Sequence, residues 1–130
     1  MSRASELVGQ IPYAKFIGMG VDRDARGLIG ILPLKDSNIG NRWLPAVHGG
    51  VIGSFLEMTA ILALLDQGDG DRIPKPINFS TDYLRSAGPH QTHGRAEIVK
   101  LGRRIANVRV VAYQEDEARP VAAGIGNFLV

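Results

Sequence analysis

Apolar and polar positions along the chain change period twice, and the changes mark out the elements. Ser2 to Gln10 reads as a short helix capped at Ser2, with Pro12 ending the pattern. Phe16 to Arg23 and Leu28 to Leu34 read as strands split by the polar turn Asp24-Ala25-Arg26-Gly27, a hairpin signal with glycine at the position that needs positive φ. A loop from Asp36 to Pro45 follows. From Gly49 to Gln67 the texture becomes helical, rich in Leu, Met and Ala and apolar on almost every side. Such a helix is wrapped by protein rather than laid on a surface, and at about 1.5 Å per residue it is roughly 27 Å long.

Beyond the polar stretch Gly68 to Lys75 lie four more strand candidates: Ile77 to Arg85, Gln91 to Leu101, Arg104 to Gln114 and Val121 to Val130. In the third, Ala106, Val108, Val110 and Ala112 alternate with Asn107 and Arg109, the period of a sheet with one buried face. In the last, Ala122, Gly124 and Gly126 leave one face almost bare, which predicts an unusually close approach by the helix. A hairpin, one buried helix and a run of antiparallel strands together predict an α+β domain, a curved sheet wrapped round one long central helix. Such a sheet leaves an edge strand exposed, so a homodimer is the expected remedy.

Composition narrows the functional classes. The chain has 130 residues, 45% of them hydrophobic and 22% charged, and it fits one domain over residues 1–130 rather than a disordered chain. The longest apolar stretch, Val47 to Leu65, carries Glu57 in its middle, and the N-terminus is polar with an acid before any apolar run. Neither a membrane span nor a secretory signal is read from this, so a cytoplasmic protein is expected. With no cysteine, disulfide scaffolds, thiol nucleophiles and cysteine-ligated metals are excluded. A net charge of +2 without a basic stripe or aromatic platform gives no nucleic-acid reading. Glycine, at 16 residues, is in excess, and its placement matters.

The chemistry gathers at the helix start. Gly49-Gly50, after His48, would leave first-turn N–H groups uncovered by side chains, an oxyanion hole in outline. The same pair also serves as a plain tight turn. Glu57 is the only ionisable side chain between His48 and Asp66, and a carboxylate there is costly without partners or a task. Small neighbours one and two turns back, Gly53, Ser54 and Gly50, leave space beside it. An ion pair with Arg85 or Arg109 is the structural alternative. Eight residues put Gly49 and Glu57 about 12 Å apart on one helix, too far to serve one carbonyl. If they form a site, two subunits share it. His48 sits before the helix with no acid placed to orient it, so it is not read as a general base, and His90 and His93 read as surface polar residues rather than a metal pair.

His48-Gly49-Gly50, an acid nine residues after the histidine, and the strand Ile77-Asn78-Phe79-Ser80-Thr81-Asp82-Tyr83-Leu84-Arg85-Ser86-Ala87 closely resemble the hotdog-fold acyl-CoA thioesterases of the phenylacetate-degradation (PaaI-like) type. The resemblance implies a hotdog fold, pairing of two sheets into one in a homodimer and, often, a dimer of dimers. It implies hydrolysis of acyl-CoA to free acid and CoA, with Glu57 as general base or nucleophile, Gly49 N–H polarising the carbonyl, and Asn41 holding the water or carbonyl. The family sets that Asn six residues before the histidine, where this chain has Arg42, so the loop here is one residue longer. Positions where relatives carry Ser or Thr hold Pro76 and Ile61, which leaves that task to a residue such as Ser54 or Ser80. His48 and Gly50 border the site. Trp43, Phe55, Met58 and Ile61 are expected to line an acyl or aryl pocket, and Arg85, Arg103 and Arg104 either to meet the phosphates of CoA or to serve solubility at turns. No metal or redox cofactor is implied. The other reading on the same fold is a non-catalytic protein that binds acyl-CoA or a small aromatic acid. A hotdog hydratase lacks its Asp and His motif here.

Overall fold

The computed structural model describes residues 3–40, 43, 45–68 and 72–130. Two short helices, α1 (Arg3–Val8) and α2 (Pro12–Ile17), precede the hairpin β1 (Gly20–Asp24) and β2 (Gly27–Leu32); after a 3-10 turn at Asp36–Asn38 come α3 (Gly49–Gln67), β3 (Lys75–Tyr83), β4 (Thr92–Leu101), β5 (Ile105–Tyr113) and β6 (Ala122–Leu129). The strands form one antiparallel sheet in the order β1-β2-β4-β5-β6-β3. It curves round α3, whose side chains at Phe55, Leu56, Ala60 and Leu62 are fully buried against it.

Pro12 starts a helix rather than ending one. Its missing N–H costs nothing in a first helical turn, and Gly18, at φ 81°, closes α2 with its N–H on the carbonyls of Ala14 and Lys15. Phe16 and Ile17 are therefore helical, and the strand expected from Phe16 begins at Gly20. The hairpin glycine does take a positive φ, 118° at Gly27.

The alternation in β5 buries Ala106, Val108, Val110 and Ala112 completely against α3. The bare face of β6 works differently from the expectation. A Cβ at Gly124 would lie 2.5 Å from the Phe79 ring and one at Gly126 also 2.5 Å from it, so a ring from neighbouring β3, not the helix, fills that trough. Helix and sheet meet most closely at a different glycine pair, Gly30 and Gly94, opposite each other in β2 and β4. A Cβ there would stand 2.6 Å and 2.8 Å from Thr59 Oγ1, with Phe55 next nearest.

The sheet edges are β1 and β3. β3 is the long one, nine residues with every side chain at least partly exposed.

Candidate active site

The segment before α3 is cinched into a closed loop. Ile39 pairs with Val47; Gly40 N–H donates to the Ala46 carbonyl at 2.9 Å, and His48 N–H to the Asn38 carbonyl at 2.7 Å. Asn38, itself buried, donates through Nδ2 to the Ile17 carbonyl at 2.8 Å, and Val47 N–H reaches the Ala87 carbonyl at 2.8 Å. This framework holds His48 as the N-cap of α3, where Nδ1 accepts from Gly50 N–H at 2.9 Å.

That cap revises the picture of two uncovered glycine amides. Gly50 N–H is taken by His48, and the N–H groups of Val51 and Ile52 donate to the His48 carbonyl at 3.0 and 3.1 Å. Among the described residues, Gly49 N–H is the first-turn donor left without an acceptor. It sits at the positive end of a 19-residue helix, where a developing negative charge is stabilised.

Glu57 lies on the less buried side of α3. Gly49, Gly53, Ser54 and Glu57 are half-buried and Gly50 is exposed, whereas Met58 and Phe55 turn into the core and Ile61, on the Glu57 side, is 8% exposed. The Glu57 carboxylate has no hydrogen bond or ion pair among the described residues. Arg85 instead donates through Nε to the Pro120 carbonyl at 3.1 Å. Burial alone pushes the Glu57 carboxyl above the ordinary glutamate value, the direction expected when nothing compensates lost hydration. Ser54 Oγ is occupied in donating to the Gly50 carbonyl at 2.8 Å.

Strand β3 runs alongside this face. Its inward residues are Phe79, Thr81 and Tyr83, because Phe79 lies over the inner-face glycines Gly124 and Gly126 and side chains alternate. Ser80 consequently points to the outer face, paired with Ile125. Tyr83 and Thr81 are the residues the sequence reading passed over. Tyr83 Oη donates to the Gly49 carbonyl at 2.7 Å, and Thr81 Oγ1 lies 3.8 Å from the position a Cβ would take at Gly53. Strand alternation counted from Phe79 was the signal that could have found both.

Beside the helix start, Gly49, Ile52, Tyr83, Arg85, Ser86 and Val121 line a cleft of about 300 Å³. A second depression of about 360 Å³ shares Arg85, Ser86 and Val121 with it and adds Gln114 and Arg119. Arg119 is a further cation near Arg85 that spacing alone did not single out. Trp43 is 96% exposed on the single chain and lines neither hollow. Asn41 lies outside the described residues. Arg103 and Arg104 occupy the β4–β5 turn, at the sheet end where Ile105 meets Leu129; Tyr83 and Ala122 mark the other end, about 23 Å away along β6. Within one chain that turn is far from Gly49.

The family described as Thioesterase superfamily matches residues 44–121. A protein from Chromobacterium violaceum of known structure is 35% identical, with 98% of this chain and 88% of that chain covered and a TM-score of 0.80. A phenylacetic acid degradation-related protein from Ralstonia eutropha shares the fold at 21% identity, covering 92% of this chain and 90% of that chain, with a TM-score of 0.79. So does a Bacillus halodurans protein solved with CoA, at 20% identity, 97% and 85% coverage and a TM-score of 0.82. No curated protein matches the sequence. The helix wrapped by a six-stranded antiparallel sheet is the hotdog fold, and by the match over residues 44–121 this chain belongs to the thioesterase superfamily.

Proposed function

We propose that this protein hydrolyses acyl-CoA thioesters to free acid and CoA, at sites each built from two copies of the chain. The observation that carries the reading is the pair at α3: among the described residues, an amide without an acceptor, Gly49 N–H, at the helix start, and an acid without a partner, Glu57, on the less buried helix face. About 12 Å of helix separates them in one chain. Two antiparallel copies of α3 bring Gly49 of one chain opposite Glu57 of the other, and the exposed edge β3 supplies the means, pairing across a two-fold axis to extend the sheet. The CoA held by the Bacillus halodurans relative supports a CoA-type ligand.

In this reading the thioester oxygen accepts from Gly49 N–H as it gains negative charge, stabilised by the helix dipole. Glu57 of the second copy acts on the carbonyl carbon in one of two ways. As a general base it takes a proton from water, whose oxygen bonds to the carbon before the C–S bond breaks and CoA thiolate leaves. As a nucleophile its carboxylate oxygen bonds to the carbon as the C–S bond breaks and CoA thiolate leaves, and water then opens the mixed anhydride to the free acid and the Glu57 carboxylate. Arg85 lies in the same cleft as Gly49, with Arg119 beyond it, and in this reading it is the cation that meets a phosphate of CoA. Arg103 and Arg104, at the far end of the sheet from Gly49 in one chain, contribute in this reading only from the second copy.

Mixed dimers test the shared site. Glu57→Gln removes the acid, and Gly49→Pro puts a ring carbon in place of the N–H while keeping the helix start, since proline is well accepted at a first helical position and His48, at φ −58° and ψ 135°, already has a conformation allowed before proline. Each variant alone should release little thiol from acyl-CoA. A refolded equal mixture should recover about a quarter of wild-type activity, because about half the dimers are mixed and each mixed dimer holds one intact site. No recovery from a mixture that still forms dimers would end the shared-site reading.

A further inference from the structure

Gly49 poses a mechanical problem. A glycine has more backbone freedom than any other residue, yet a useful carbonyl-polarising donor must be held in a fixed direction before the substrate arrives. Gly49 is pinned from both sides. On its N-terminal side, the peptide that carries its N–H is fixed by the His48 carbonyl, which accepts from Val51 and Ile52, and by His48 N–H on Asn38. On its C-terminal side, the Gly49–Gly50 peptide is gripped by two side chains from different parts of the fold: its carbonyl accepts from Tyr83 Oη at 2.7 Å and its N–H donates to His48 Nδ1 at 2.9 Å.

The grip depends on Tyr83 lying flat against the helix. A Cβ at Gly49 would meet the ring at an ordinary 3.5 Å, whereas one at Gly53 would stand only 3.0 Å from Oη, so Gly53 is the residue whose size leaves the hydroxyl its room. Tyr83 is the last residue of the edge strand β3 and remains 58% exposed on the single chain, so core packing does not account for its hydroxyl. The three groups also form a line, Oη–H to carbonyl and amide N–H to imidazole. A donor on an amide oxygen draws electron density from the amide and strengthens its N–H as a donor. With Nδ1 accepting, the neutral His48 ring carries its proton on Nε2.

We propose that Tyr83 is a positioning residue: through the Gly49–Gly50 peptide it fixes the backbone of Gly49, and with it the direction of the Gly49 N–H, and holds His48 in its capping tautomer. The proposal rests on the thioesterase reading above for its catalytic consequence, and on geometry alone for its structural one.

Tyr83→Phe keeps the ring over both glycines and removes only the hydroxyl. For acyl-CoA hydrolysis followed by thiol release, kcat should fall about five- to tenfold, the worth of one hydrogen bond used in the transition state, while KM stays within about twofold. In ¹⁵N NMR spectra of the same variant the Gly50 amide and the His48 Nδ1 resonance should both move. Gly53→Ala reaches the same end by another route, since its methyl group displaces Oη while alanine improves the helix; it should be at least as stable as wild type and lose kcat likewise. Wild-type kcat in Tyr83→Phe, a loss confined to KM, or unmoved Gly50 and His48 signals would each overturn the proposal. If the wild-type protein releases thiol from no acyl-CoA, the thioesterase reading fails by itself, and the NMR signals of Tyr83→Phe still decide whether Tyr83 holds the helix start.

Discussion

Gly30→Ala places one methyl group at the tightest contact between sheet and helix. The new Cβ would lie 2.6 Å from Thr59 Oγ1 and 3.2 to 3.3 Å from Phe55, against 3.4 Å where ordinary contact begins. Neither neighbour yields easily. Both are fully buried, and Thr59 Oγ1 is held by donating to the Phe55 carbonyl at 2.7 Å. Overpacking of this kind costs about 1–3 kcal/mol. Restricting the unfolded chain returns about 0.4–1 kcal/mol, so the expected net loss is about 1–2 kcal/mol out of a total stability of about 5–15 kcal/mol. The source of the loss is checkable: in a Thr59→Ala background the 2.6 Å contact disappears, only the milder Phe55 contacts remain, and the penalty should shrink by about 1 kcal/mol. Urea denaturation of the four proteins of this cycle, at one fixed protein concentration because association adds to stability, reads the effect as a midpoint lowered by about 1 M in Gly30→Ala. An unchanged or raised midpoint, or the same loss in both backgrounds, would refute the account of helix and sheet meeting through this glycine pair.

Glu57 should cost the protein stability in its ionised form. Burial raises its folded-state pKa, so the folded chain holds the proton more tightly, and stability falls as pH rises from the unfolded glutamate value through the folded one. Glu57→Gln should therefore be more stable than wild type at neutral pH, with the difference vanishing below about pH 4 in denaturation curves; a less stable variant at pH 7 would contradict this. The same shift sets the acid limb of kcat/KM for thioester hydrolysis, which should fall on acidification at a pH above the ordinary glutamate range. Asp24 behaves in the opposite sense: hydrogen bonds from Arg95 and from the Arg26 backbone hold its carboxyl below the ordinary aspartate value, so its contribution is present above the unfolded value and lost as pH falls through the folded one. Asp24→Asn should be destabilised at pH 7, with the gap to wild type closing in strong acid, as thermal melts across pH would show. Gly124→Ala should dislodge the Phe79 ring, 2.5 Å from the added methyl, and lower the melting temperature, and Phe79→Leu in the same chain should restore part of the loss.

Much of this protein is legible residue by residue. The limits of α3, the hairpin turn at Gly27 and the alternating burial of β5 follow from local rules: apolar periodicity, helix-forming side chains and the one residue that accepts a positive φ. Pro12 shows where local reading divides, since proline both ends a helix and begins one, and only Gly18 downstream, capping α2, selects the second use. The chemistry at the helix start was half legible. His48, Gly49 and Glu57 stand out by type and spacing, but which amide stays free depends on where the His48 ring turns, and that is decided by the loop that Asn38, Ala46 and Ala87 tie down.

By itself, then, the sequence determined the class of fold, the buried helix and the family, and it marked one acid out of place on the apolar helix that a glycine pair begins. What needed the tertiary structure is everything that depends on which strand lies next to which. The gap over Gly124 and Gly126 belongs to Phe79 because β3 neighbours β6. The helix is pressed close by Gly30 and Gly94 because β2 neighbours β4. Tyr83 reaches Gly49 because the sheet edge returns to the helix start 34 residues later in the chain. Short-range periodicity reports which face of an element is buried. What that face is buried against is set by chain segments dozens of residues away, and no local pattern carries that information.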